Sequence, residues 1–183
     1  MNLLGNSRKR ITQWTLAILT LLSLTACSTA IEDYQGEQPT LKLEEFFKGD
    51  LVAHGVVQDY AGKVIQRFTV EMQGTWEGNE GTLDEQFTYA DGRTQERIWK
   101  LTKTGPNTYE GRASDVEGVA VGTTAGNALN WEYVLQVEVD GEMMSLSLDD
   151  WMYLVDENNM INRTQMYKYG LPVGEITLYI GKQ

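Results

Sequence analysis

The stretch NWEYVLQVEV, residues 130–139, decides the fold. Trp131, Tyr133, Leu135, Val137 and Val139 alternate with Asn130, Glu132, Gln136 and Glu138. A period of two puts the first set on one side of an extended strand, whereas a helix would scatter it around its circumference. The same alternation recurs on either side. RFTVEM sets Phe68, Val70 and Met72 against Arg67, Thr69 and Glu71, and EITLYI sets Ile176, Leu178 and Ile180 on one face. Such patterns mark antiparallel strands with one apolar face turned to a core.

Between the alternating runs lie turn formers: Ala61-Gly62, Asp91-Gly92, Gly105-Pro106-Asn107, Asp140-Gly141 and Glu157-Asn158-Asn159. Short turns of this composition close hairpins. From Asp50 onward the chain reads as about 8–10 strands with no long helix between them. So many antiparallel strands in one domain must hide their edges, and closure does so. The expected fold is all-β: an up-and-down antiparallel β-barrel. Charges on the outward faces, Glu71, Lys100, Glu132 and Glu138 among them, fit water outside rather than lipid.

The N-terminus reads differently. Arg8, Lys9 and Arg10 precede an apolar run from Trp14 to Leu24, and small residues lead to Cys27, the only cysteine among 183 residues. A basic start, a short apolar stretch and a small-residue cleavage site describe a signal peptide over residues 1–26. Leu24-Thr25-Ala26-Cys27 resembles a bacterial lipobox, in which the thiol takes a diacylglyceryl group and becomes the new N-terminus. Residues 27–43 then read as a tether, with Leu41–Lys48 able to form a short helix or turn, and residues 44–183 as a single domain. Ser28 after the cleavage point resembles an outer-membrane address. The expected location is therefore the cell envelope, with the domain facing the periplasm from a lipid anchor on Cys27.

The chain carries 15 basic and 26 acidic residues, a net charge of -11, and the signal segment removes three of the bases and no acid. A surface this acidic repels phosphate backbones, so nucleic acid is not an expected partner. With no second cysteine the exported domain has no internal disulfide and relies on its core. His54 is the single histidine, placed on an outward face, so histidine-based metal or catalytic sites are not expected. DENNMINRT lacks the glycine and carboxylate spacing of a calcium loop. No metal or cofactor is expected.

Candidate site residues come from charges on apolar faces. Glu85 shares a face with Leu83, Phe87 and Tyr89; Asp150 with Leu146, Leu148, Met152 and Leu154; Arg163 with Ile161 and Tyr167. Turned inward, these charges would have to pair or meet a ligand, because a lone buried charge is too costly to persist. A bulge at Asp149-Asp150 would instead expose the carboxylate. A cluster of small residues, Gly111, Ala113, Gly118, Ala120, Gly122, Ala125 and Gly126, either leaves room inside the barrel or permits tight bends.

The runs GTLDEQFTYADG, RIWKLT, YEGRASDVEGVAVGTTAGNALNWEY, DDWMYLVDENNMINRTQMYKYG and VGEITLY resemble the domain-of-unknown-function family 3833, a similarity that covers nearly all of Glu44 to Lys182. The resemblance implies a proteobacterial lipoprotein with a lipocalin-like barrel. It also implies an association with enzymes that modify membrane fatty acids, and hence a fatty acid or phospholipid as ligand. On that expectation Arg163 would pair with an acidic head group and Glu85 and Asp150 would orient it, with Trp151 and Tyr153 as further contacts. The alternatives are a lipid-modifying lyase or isomerase with Asp150 or Glu85 as base, or an envelope interaction protein.

Overall fold

The computed structural model describes residues 29–139 and 141–183. Cys27 and the signal segment lie outside the described residues. Ten strands follow in order: β1 (Gly49–Asp59), β2 (Val64–Glu77), β3 (Glu80–Tyr89), β4 (Thr94–Lys103), β5 (Thr108–Arg112), β6 (Val116–Ala125), β7 (Ala128–Val139), β8 (Glu142–Leu154), β9 (Asn159–Lys168) and β10 (Leu171–Lys182). Each pairs antiparallel with its neighbour in sequence, and β10 pairs with β1 to close the barrel. The up-and-down barrel expected from the alternation is the fold, and closure leaves no edge strand.

Side chains of one parity fill the interior. Val70, Met72, Leu83, Trp99, Leu101, Trp131, Leu148 and Ile180 are all buried there. The small residues of β5 and β6 serve this packing. A Cβ on Gly122 would stand 1.9 Å from Trp131 Cε3, and one on Gly111 2.6 Å from Trp131 Cζ2. Their space is taken by an indole, so these two glycines are neither cavity nor corner.

The two ends of the barrel differ. At one end α1 (Leu43–Phe46) and Phe47 form a plug, with Leu41, Leu43, Phe46 and Phe47 buried. Gly74 at the end of β2 lets the plug sit close, since a Cβ there would lie 1.8 Å from the Phe47 carbonyl oxygen. Glu44 fixes α1 from beneath, ion-paired to Lys103 and accepting a 2.8 Å hydrogen bond from the Tyr109 hydroxyl. Residues 31–43, read from their polar composition as part of a tether, pack on the barrel instead. The 3-10 turn Ile31–Tyr34 lays Tyr34 against Trp151 and Tyr153, and Leu41 donates its N–H to Gly126 O.

The opposite end carries the hairpins β1–β2, β3–β4, β7–β8 and β9–β10. The tips of β1–β2, β7–β8 and β9–β10 expose apolar side chains: Tyr60, Ile65, Met143, Tyr169 and Leu171. Exposed groups of this kind gathered at one end of an acidic molecule form an apolar rim.

Candidate functional site: a half-polar cavity inside the barrel

A cavity of about 830 Å³ runs from the plug to the open end. Its walls are mainly apolar, with Phe68, Phe87, Leu135, Met166 and Leu178 among them. That volume is within the range of pockets that enclose a small organic ligand. Val57, Ile65, Val139 and Met143 line its mouth.

One side of the cavity is polar. Glu85 on β3 and Arg97 on β4 are directly opposed across the hairpin. Arg97 Nη1 lies 3.6 Å from Glu85 Oε2. The other edge of the guanidinium grips Asp115, in the turn between β5 and β6, through Nε at 2.9 Å and Nη2 at 2.8 Å. Two donors aimed at one carboxylate hold Arg97 in place, and its charged carbon stacks 5.1 Å from the Phe87 ring centre. Further along, Asp150 on β8 is 4% exposed. It accepts hydrogen bonds from the Asn162 amide and, at 3.4 Å, from the Tyr133 hydroxyl. Asn162 and Thr164 are buried on β9 beside it, and Thr164 is the cross-strand partner of Asp150.

Burial sets the electrostatics. Glu85 is pushed up to about 7, first by loss of water, with Arg97 opposing and Asp115 and Asp150 reinforcing. Asp150 is pushed up to about 6 by the same desolvation, against the hydrogen bonds from Asn162, Thr164 and Tyr133. Desolvation also raises the Tyr133 phenol well above its ordinary value. Arg97 stays charged: Glu85 and Asp115 outweigh its burial.

Glu85 and Asp150, picked out as charges on apolar faces, thus both enter the interior. The register across β7, β8 and β9 is continuous at Asp149-Asp150, so no bulge turns Asp150 outward. Arg163, Trp151 and Tyr153 have the opposite parity and stand on the outer wall. Arg163 is paired with Glu175 at 2.6 Å, its side chain 58% exposed. Trp151 and Tyr153 stack at 6.1 Å and receive Tyr34. The reason lies in β9, whose two faces are nearly alike in sequence. Met160, Asn162, Thr164 and Met166 go inward because Thr164 pairs with the inward Asp150 and Ile176. Arg97 and not Arg163 is therefore the interior guanidinium. It shares parity with the buried Trp99 and Leu101, a signal of the same kind that singled out Glu85.

A closed antiparallel barrel with one plugged end, one open end and a cavity between them is a lipocalin-like barrel. The chain belongs to the family described as protein of unknown function DUF3833, which matches residues 21–182. Two solved structures share the fold. One is the S-type phycobiliprotein lyase CPES from Guillardia theta, with a TM-score of 0.55 and 10% identity, covering 78% of this chain and 93% of the lyase. The other is Rv2717c from M. tuberculosis, with a TM-score of 0.55 and 17% identity, covering 80% and 99%. No curated protein matches the chain in sequence.

Proposed function

We propose that this protein is an envelope lipoprotein that carries a hydrophobic, lipid-like molecule inside its barrel, tethered to the outer membrane through an acylated Cys27. The observation that carries the reading is the cavity of about 830 Å³, left between apolar walls in a barrel otherwise packed with indoles and leucines. A void of that size in a core forfeits dispersion contacts that a ligand would restore. The exposed apolar side chains at the open end support it too, since Ile65 and Met143 are exposed and also line the cavity. The anchor rests on the N-terminal motif, and several acyl chains are what stable membrane attachment takes.

Titration with an uncharged, environment-sensitive apolar dye tests the carrier reading. Saturable binding of one dye per chain is expected, and Met166→Trp, which fills the cavity wall, should weaken it severalfold. Unsaturable binding, or binding indifferent to Met166→Trp, would overturn the reading.

A second reading, lyase or isomerase chemistry on the bound molecule, draws on Glu85. A buried carboxyl near 7 can hold and release a proton at neutral pH. It predicts that Glu85→Gln protein accumulates a bound compound chemically different from the one bound by the unaltered chain.

A further inference from the structure

The polar side of the cavity has acceptors in excess and donors already spoken for. Three carboxylates, Glu85, Asp115 and Asp150, line it together with the Arg97 guanidinium, while Arg93, an exposed side chain paired with Asp91, and Glu138 also line the cavity. Arg97 directs Nε and Nη2 at Asp115 and Nη1 at Glu85. The Tyr133 hydroxyl and the Asn162 amide both donate to Asp150, and Asn162 donates also to Trp151 O. Glu85 Oε2, by contrast, is buried and accepts no hydrogen bond. The Trp99 indole is the other donor toward that carboxylate. Donor and acceptor counts of this kind matter because a buried polar atom left unpaired costs free energy.

An acidic ligand head would add a fourth negative group beside Glu85, Asp115 and Asp150, with Arg97 already engaged by Glu85 and Asp115 and Arg93 paired with Asp91. A head that donates hydrogen bonds and carries positive charge would answer both the charge imbalance and the Glu85 oxygen that accepts no hydrogen bond. We propose that the ligand is a long-chain amine: an apolar body along the cavity walls and a terminal ammonium seated between Glu85 and Asp150. This rests on the carrier reading and narrows its ligand class. It also turns the site away from the fatty acids and acidic lipids that an inward Arg163 would have favoured.

The test compares three ligands that differ only in the head: hexadecylamine, hexadecanol and hexadecanoate, each displacing the uncharged dye from the full-length protein at pH 7.5, below their aggregation concentrations. The amine should bind about tenfold or more tighter than the alcohol, and the carboxylate more weakly than either. In Glu85→Gln and Asp150→Asn proteins the advantage of the amine over the alcohol should shrink to about threefold or less. Hexadecanoate binding as tightly as the amine would overturn the inference while leaving the carrier reading intact, as the alcohol would still bind. An amine preference that survives both substitutions would overturn the assigned seat. Failure of all three to displace the dye would remove the carrier reading and the inference with it.

Discussion

Glu85 and Asp150 make the folded state sensitive to pH in an unusual direction. The ordinary values are 4.5 and 3.8, and the folded values about 7 and about 6. Between them the unfolded chain has already released its protons while the folded chain keeps them. Stability therefore falls as pH rises through this window, by on the order of 3 kcal/mol for each carboxyl, and levels off above about 7. Urea unfolding at pH 4.5 and pH 8 checks it. Glu85→Gln keeps the shape and removes the ionisation, so it should be nearly neutral at pH 4.5 and stabilising at pH 8. Asn162→Leu acts oppositely, withdrawing the amide that supports Asp150. Its cost should be about 1–3 kcal/mol, larger at pH 8 where the carboxylate is ionised.

At the scale of elements, the strands and turns were written plainly in the alternation, because a half-buried strand must place apolar groups at every second position. The face of β9 was not legible, because Ile161 and Tyr167 make its outer side as apolar as Met160 and Met166 make its inner one. Only pairing with β8 and β10 settles the parity, and a shift by one residue would turn every side chain over. Arg97 was legible, opposite Glu85 across the Asp91-Gly92 turn and in phase with Trp99. Asp115 sits in a turn, where no period marks its direction. The docking of residues 31–43 was hidden as well, resting on a few contacts such as Leu41 with Gly126. Two glycines test this level. Gly122→Ala should cost about 1–3 kcal/mol by overpacking against Trp131, seen as a lower unfolding midpoint. Gly74→Ala drives a methyl into the Phe47 carbonyl. It should loosen the plug, seen as faster hydrogen exchange at residues 43–47 with the strands still protected.

As a whole molecule the barrel is asymmetric: plugged by α1 and Phe47 at one end, open and carrying exposed apolar side chains at the other. Its outer wall is occupied by pairs such as Arg163 with Glu175, and its inner wall by carbon and a small acidic cluster around Arg97. A molecule built this way gains stability from what it holds. A ligand present at a hundred times its dissociation constant raises unfolding free energy by about 2.7 kcal/mol. The unfolding temperature should accordingly climb with added long-chain ligand and stay flat in Met166→Trp protein. The most direct measurement is native mass spectrometry of the full chain released gently from bacterial membranes, followed by extraction and identification of whatever leaves with unfolding. One apolar molecule per barrel, absent from Met166→Trp protein, is the predicted result. A barrel that emerges empty and takes up none of the dye or long-chain compounds would contradict the account.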